Sequence, residues 1–228
     1  MNALHTTGIV LSRTNYGEAD RIITVLTPDS GKLRLMAKGV RKQGSKLAGG
    51  IELLSVSQLS YIPGRRDLGT LVSSRIERHY GAIIKDIERT MYAYELLKAF
   101  NRLTEDLPEE EYFTILNAAL ATLELPAMRL DYVDVWTKLK LLEQGGHQLN
   151  THTDNTGAAL EPSQTYIFDM GKMALSPHPD GDLDVRHIKI LKLTERLQSP
   201  EPLLKIVDAG PIMQDLHRLL TAIAKDYL

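Results

Sequence analysis

Residues 31–50 read GKLRLMAKGVRKQGSKLAGG and contain the clearest strand signal in the chain. Three apolar residues, Leu33, Leu35 and Ala37, fall on one face of an extended segment, whereas the cations Lys32, Arg34 and Lys38 fall on the other. The alternation predicts a strand over residues 32–38 that packs one face and presents cations on the other. Glycines at positions 39, 44, 49 and 50 then predict a flexible loop.

The charged side chains of the same segment are all positive. No Asp or Glu occurs between Ser30 and Ile51, and the cations there are Lys32, Arg34, Lys38, Arg41, Lys42 and Lys46. The first 80 residues hold 12 Lys and Arg against 6 Asp and Glu, and the remaining 148 hold 15 against 23. This asymmetry points to a polyanion partner. Nucleic acid is favoured, because a phosphate-binding surface keeps one sign, while an acidic protein, an anionic membrane and a plain solvated strand face remain alternatives.

The periodicity divides the chain at residue 80. Residues 1–80 predict five strands in a small barrel, at 6–13, 19–26, 32–38, 53–62 and 70–76. Residues 81–228 predict helices at 81–105, 108–125, 129–143, 184–198 and 211–228. A polar insertion at about 146–181 contains one expected hairpin, at 165–175. The fold class is therefore α+β, with a barrel domain followed by a mostly helical domain.

Several kinds of chemistry are excluded or weakly supported. The chain has no cysteine, so disulfides, thiolate catalysis and cysteine-bound metals are excluded. The string GVRKQGSK resembles a phosphate loop, but Ser45 precedes Lys46, the reverse of the order such a loop needs. Glu18 and Asp20 fit a polar turn better than a pair of acid and base groups. With no legible nucleophile and base, we expect no enzyme activity and no cofactor.

Two further features are ambiguous. His147, His152 and His178 lie in the polar insertion, and a metal-dependent hydrolase using them is a minor alternative whose spacing matches no known ligand motif. Trp136 lies among apolar residues at helical spacing, which favours core packing.

No stretch approaches the roughly 18 apolar residues needed to cross a bilayer, and the start of the chain does not look like a signal peptide. We expect a cytoplasmic protein that has no membrane contact.

The aromatic residues indicate how the barrel would bind nucleic acid. The first 80 residues contain only Tyr16, Tyr61 and Tyr80 as aromatics, too few for a base-stacking platform. Backbone phosphates should therefore dominate, with tolerance of any base sequence. Candidate phosphate ligands are Arg21, Lys32, Arg34, Lys38, Arg41, Lys42 and Lys46, with Arg65 and Arg66 at a predicted turn as further members.

Four short motifs resemble the start of the RecO family of bacterial recombination mediators. They are T-x-G-I-V-L from Thr6, Y-G-E-x-D from Tyr16, G-K-L-R from Gly31 and A-K-G-x-R from Ala37. The resemblance implies an N-terminal OB-fold barrel joined to a helical domain. It implies a DNA-repair protein, associated with the nucleoid, that binds single- and double-stranded DNA and anneals complementary strands. Implied partners are RecR, the acidic tail of single-strand-binding protein (SSB), RecA and, less firmly, RecF.

Two departures from that family are visible. Many members bind zinc through a C-x-x-C-G element and a second cysteine pair, whereas TDNTG occupies the first element's place here, at residues 153–157. We therefore expect no zinc, and an insertion held by hairpin packing alone. Many relatives also continue into a short basic tail beyond the position of Leu228. A protein-interaction adaptor, in which the basic barrel holds acidic partner surfaces, is the alternative from another functional class.

Overall fold

A computed structural model describes residues 2–64, 67–104 and 110–228. The chain forms two compact units, Met1–Pro126 and Ala127–Leu228. The change of period at residue 80 marks the end of the last barrel strand, but the first unit continues through two helices. The division into compact units thus differs from the predicted division at residue 80, because the first two helices pack with the barrel.

The first unit contains five strands, all close to their predicted positions: β1 Leu4–Tyr16, β2 Asp20–Thr27, β3 Gly31–Ala37, β4 Ser55–Ile62 and β5 Leu68–His79. They close into a barrel of order β1-β2-β3-β5-β4. All neighbours are antiparallel except β3 and β5, which pair in parallel. This five-stranded closed barrel is the expected OB fold.

The barrel is held together by the inward face of its strands. Val10, Ile23 and Leu35 are fully or almost fully buried there. Tyr61 of β4 and Leu71 of β5 complete the cluster from the other side. Burial of such side chains stabilises a fold by about 1.5–3 kcal/mol each, before conformational entropy is subtracted. The inward positions are those that the alternation in residues 32–38 predicts, so the strand phase is confirmed.

The segment after β3 is more ordered than its glycines suggest. Backbone hydrogen bonds from Lys42 to Gly39 and from Ser45 to Lys42 close successive turns. A single 3-10 turn, Gly49–Ile51, ends the segment. Val40 and Ile51 are buried in the barrel core at 3% and 0% exposure. The predicted flexible loop is therefore a series of turns that is anchored to the barrel core through Val40 and Ile51.

Two helices complete the first unit, α1 Ile87–Leu103 and α2 Glu110–Leu123. The predicted helix at 81–105 begins later because Asp86 is extended and caps α1, accepting a hydrogen bond from the backbone of Arg89 at 3.0 Å. Residues 83–85 form a separate 3-10 turn. The predicted start of the next helix, at 108, lies outside the described residues. Arg89 ties the helices together, since its guanidinium donates to the carbonyl oxygens of Leu123 and Leu125.

The second unit contains three helices and a small sheet. The helices are α3 Leu130–Gln144, α4 Val185–Arg196 and α5 Gly210–Tyr227. The strands are β6 Asn150–Asp154, β7 Tyr166–Asp169 and β8 Ala174–Pro177, in the order β6-β8-β7. The hairpin predicted at 165–175 is confirmed as β7 and β8. The strand β6 was not predicted, because NTHTD lacks the apolar residues that mark a strand.

Trp136 of α3 is in the core of the second unit, as predicted. It is 1% exposed, and its indole nitrogen donates to the carbonyl oxygen of Leu197 at 3.0 Å. Within residues 2–64, 67–104 and 110–228, no helix has the length and apolarity needed to cross a membrane.

Candidate nucleic-acid interface

The outward face of β3 presents the predicted cations. Arg34 and Lys38 are exposed, and they alternate with the buried Leu35 and Ala37. Neither cation forms an ion pair with any residue that the structure describes. The guanidinium of Arg34 on β3 and the ammonium of Lys38, one residue beyond its end, are thus left to solvent, as a phosphate-binding face requires.

Lys32 is in phase with Arg34 but is occupied elsewhere. Its ammonium nitrogen donates to the carbonyl oxygen of Asn101 at 3.1 Å and to that of Thr104. These carbonyls lie at the carboxyl end of α1, where the helix dipole is negative and favours a cation. Lys32 is therefore half-buried within the first unit and joins β3 to α1.

The segment after β3 holds the remaining cations in place. The backbone nitrogen of Arg41 donates to Ala19 at 2.9 Å, and its guanidinium reaches the carbonyl oxygen of Gly17 at 3.3 Å. The side chains of Arg41, Lys42 and Lys46 are exposed. The cations of this segment thus lie on an anchored piece of backbone beside the β1–β2 turn, rather than on a free loop. We call Arg34, Lys38, Arg41, Lys42 and Lys46 the basic surface.

Asp20 has a structural role in this arrangement. Its carboxylate accepts a hydrogen bond from the backbone nitrogen of Gly39 at 2.7 Å. Gly39 has φ +64°, a left-handed conformation that favours glycine, so the turn after β3 depends on both residues. Glu18 is exposed on the same β1–β2 turn. The interpretation of Glu18 and Asp20 as parts of a polar turn agrees with this geometry.

Arg21 lies at the edge of the basic surface. It is opposite Ala37 in the pairing of β2 with β3, next to the position of Lys38. Its guanidinium donates to the side-chain oxygen of Asn15 at 3.0 Å, a neutral partner that leaves the charge uncompensated. Arg21 thus carries an uncompensated charge at one end of β2, in the phase of the buried Ala37 and not in that of Arg34 on the outward face.

A pocket of about 220 Å³ lies beside Arg34, between β3 and the β4–β5 connection. Tyr61, Gly64 and Asp67 line its other side. OB folds commonly bind oligonucleotides on strands 2 and 3 and on the β1–β2 and β4–β5 connections, so the basic surface lies where this fold usually binds. Arg65 and Arg66, also predicted to contact phosphate, lie outside the described residues, and their role stays a prediction.

Arg75 and Arg78 of β5 were not singled out from the sequence. Arg78 has structural partners, since its guanidinium lies 3.7 Å from a Glu124 oxygen and 4.8 Å from the centre of the Tyr80 ring. Arg75 is exposed and forms no ion pair with a described residue. The only sequence signal for Arg75 is its alternation with Ser73, which is weak without knowledge of the neighbouring strands.

The three histidines of the insertion do not converge. His147 stacks on Tyr227 with ring centres 4.6 Å apart, while His152 and His178 are exposed. Among the described residues, no three His, Asp or Glu side chains are grouped so that they could hold a metal ion. His147, His152 and His178 therefore do not form the set of metal ligands that the hydrolase alternative requires.

The turn at residues 153–157, where the resemblance places the family's first cysteine pair, is closed by hydrogen bonds. The carboxylate of Asp154 accepts from the hydroxyl of Thr156 at 2.6 Å and from the backbone of Ala158 at 3.0 Å. The Thr156 hydroxyl, with further backbone donors, holds the pKa of Asp154 below its usual value. A hydroxyl and a committed carboxylate do not fit a zinc site built for thiolates. The turn, together with the pairing of β6 and β8, stabilises the insertion beyond the predicted hairpin.

The second unit also has a pocket of about 380 Å³, lined by Phe168, Leu219 and Arg218 but also by Asp182 and Asp215. Arg218 forms an ion pair with Asp215. The mixed charge does not single out an acidic peptide as its ligand.

These features define the class of the protein: an OB-fold barrel with cations along its third strand, joined in sequence to a separate helical unit. A family model described as Recombination protein O N terminal matches residues 1–80, which is the barrel. The barrel of this chain is therefore similar to the N-terminal domain of the RecO family.

Individual proteins with the family's name are also similar to this chain. DNA repair protein RecO of Alkaliphilus metalliredigens is 27% identical over 233 residues, which cover 99% of this chain and 92% of the relative. The protein of the same name from Exiguobacterium is 34% identical over 137 residues, which cover 60% of this chain and 54% of the relative. That from Acetivibrio thermocellus is 39% identical over 101 residues, 44% of this chain and 40% of the relative. The chain thus spans about half the length of the last two relatives.

Proposed function

We propose that this protein acts in DNA repair and recombination by binding the phosphate backbone of single- and double-stranded DNA at the basic surface. The observation that carries the proposal is the placement of five exposed cations on β3 and on the anchored segment after it. Arg21 contributes at the edge, and Arg65 and Arg66 belong to the proposal from sequence alone. Lys32 is left out, because its ammonium is held by α1.

The proposed activity is strand annealing without covalent chemistry. Cations that screen phosphate charge reduce the repulsion between two strands and speed their encounter. The names of the relatives support a repair role. With RecR, the protein would load RecA onto DNA coated by SSB, and the helical unit would dock RecR or the SSB tail; RecF is a further candidate in the pathway.

Charge reversal tests the basic surface directly. The variant Lys38→Glu, Arg41→Glu and Lys42→Glu should lose binding to fluorescent single-stranded and duplex oligonucleotides and should lose annealing. Its control is Lys189→Glu, Lys205→Glu and Lys225→Glu, which changes the net charge equally at exposed positions of the second unit. Unchanged binding in the first variant, at moderate salt, would refute the proposed surface.

The adaptor alternative gives a different result in the same assay. An adaptor would bind a peptide with the sequence of the SSB tail firmly, and its DNA binding would be weak and insensitive to salt. A mediator of the proposed kind binds DNA with a steep salt dependence.

A further inference from the structure

A second polar surface lies on the outer side of β1, β4 and β5. His5 is opposite Ser60, which is opposite Ser73 on the next strand. Two positions along, Thr7 is opposite Gln58, which is opposite Arg75. Because residues two apart on a strand share a face, these side chains form two parallel rows on one surface. They line a groove of about 460 Å³, which we call the polar groove.

The chemistry of the polar groove suits a sugar-phosphate chain. None of the described residues that line it is acidic. The hydroxyl of Ser60 and the Nδ1 atom of His5 are 2.8 Å apart, which orients both groups. Hydroxyl, amide and guanidinium side chains are those that contact phosphate and sugar in protein–DNA complexes. Asp29 is not part of this lining, but its carboxylate accepts a hydrogen bond from the hydroxyl of Thr6, which is.

The polar groove is separate from the basic surface. In the barrel order β1-β2-β3-β5-β4, one strand separates β3 from β1 and one separates it from β4. The seam of β1 and β4, where His5 meets Ser60, is therefore on the wall of the barrel away from β3. The strand β5 does neighbour β3, but it pairs with β3 only at Leu68, Gly69 and Thr70, whereas Ser73 and Arg75 lie further along it. A strand bound along β3 therefore leaves the polar groove free.

We propose that the polar groove binds the backbone of a second nucleic-acid strand while the basic surface holds the first. This inference rests on the proposed function, since it requires a first strand at the basic surface. With Arg75 as its cation, the groove should bind more weakly than the basic surface and with a shallow salt dependence. Two strands on one barrel meet at a high effective concentration, which favours annealing.

Strand stoichiometry tests this inference. The full chain is mixed with two non-complementary oligonucleotides of different mass, and native mass spectrometry counts the strands bound per protomer. Wild-type protein should carry two strands, and Arg75→Glu should carry one, with second-strand affinity reduced roughly tenfold, as reversal of one charge-assisted contact implies. First-strand affinity should change little, while annealing of complementary strands should slow.

Two further variants make the result interpretable. Ser73→Asp places an acid at a second exposed position of the polar groove and should have the same effect as Arg75→Glu. If one of the two variants folds poorly, the other still tests the inference. Lys98→Glu on α1 is the charge-matched control and should keep both strands. One strand per protomer in wild type, or two in both groove variants, would overturn the inference. Failure of the proposed function would look different, since reversal of Lys38, Arg41 and Lys42 would then leave first-strand binding intact.

Discussion

The ammonium nitrogen of Lys32 lies 3.1 Å from the carbonyl oxygen of Asn101, at the carboxyl end of α1. The two residues are 69 positions apart in the chain, and their contact joins the barrel to the helix that follows it. A residue that the strand pattern groups with the proposed phosphate ligands is therefore a structural link within the first unit.

Neutralising Lys32 should affect stability more than DNA binding. Lys32→Met keeps most of the apolar stem but removes the bonds to α1, so the free energy of unfolding should fall by about 1–2 kcal/mol. The matched variant Arg34→Met should show the opposite pattern, with weaker DNA binding and little loss of stability. Urea denaturation and oligonucleotide anisotropy measure the two effects, and equal loss of DNA affinity in both variants would contradict the assignment.

Salt dependence should count the cations of the basic surface. Five phosphate contacts on single-stranded DNA predict a slope of log K against log salt of roughly −3.5. Removal of three of them, in the variant reversed at Lys38, Arg41 and Lys42, should leave a slope of roughly −1.4 if binding is still measurable. A titration over a series of salt concentrations gives both values, and a flat response in wild type would argue for the adaptor alternative.

The cap of α4 should make the second unit sensitive to acid. Asp184 accepts hydrogen bonds from the backbone nitrogens of Arg186 at 2.9 Å and His187 at 3.3 Å. Burial raises the pKa of Asp184, but hydrogen bonds from the Arg186 and His187 side chains and backbone outweigh this and hold it well below its usual value. Asp184→Ala should lower the free energy of unfolding by about 0.5–2 kcal/mol at neutral pH.

The pH dependence of that difference has a definite sign. A lowered pKa in the folded state means that the carboxylate stabilises the fold fully above the unfolded value of about 3.9 and loses this effect as the pH falls below it. The advantage of wild type over Asp184→Ala should therefore shrink in acid. Asp184→Asn, which keeps the capping oxygen, is the control, and thermal unfolding over a pH series is the measurement. A constant advantage across the acid range would contradict the expectation.

Tyr80 should be recognisable in an alkaline titration. Its side chain is fully buried and its hydroxyl donates to Asn117, and burial raises the pKa of Tyr80 to about 12. Tyr80→Phe should remove one late-titrating phenol from the absorbance curve and cost about 1 kcal/mol in the free energy of unfolding.

The sign for Tyr80 is the reverse of that for Asp184. Because the pKa of Tyr80 is raised in the folded state, the neutral phenol makes its full contribution to stability below the unfolded pKa of about 10. This contribution is lost as the pH rises toward the pKa of the folded state. Wild type should thus lose stability between these values by an amount that Tyr80→Phe does not show. If the phenol titrates early in folded wild type, the burial of Tyr80 is contradicted.

Features that depend on neighbours in the chain could be predicted. Leu35 and Ala37 alternate with Arg34 and Lys38, and this period of two gave both the strand and its buried face. Trp136 was placed in a core by the helical spacing of its neighbours. The exposure of Arg34 follows from the same local rule, because it lies on the outer face of the strand.

Features that depend on contacts between distant parts of the chain could not be predicted from the sequence. The glycines after β3 indicated flexibility, but Val40 and Ile51 are buried by barrel strands and Arg41 bonds to the β1–β2 turn. The strand β6 has a polar sequence and forms because β8 offers it hydrogen-bond partners. The predicted division at residue 80 follows the change in period, whereas compactness depends on which helices pack on the barrel.

Local sequence therefore established the barrel, most of the helices and the positive charge of β3, since side-chain period and charge are properties of a single segment. Folding in three dimensions settled which cations remain free. Lys32 is withdrawn by carbonyls of α1, and Arg75 joins Ser73, Gln58 and His5 only because β1, β4 and β5 pair in one register. Both the engagement of Lys32 and the grouping around Arg75 depend on hydrogen bonds between residues far apart in the chain. The periodicity of a single segment cannot predict such bonds.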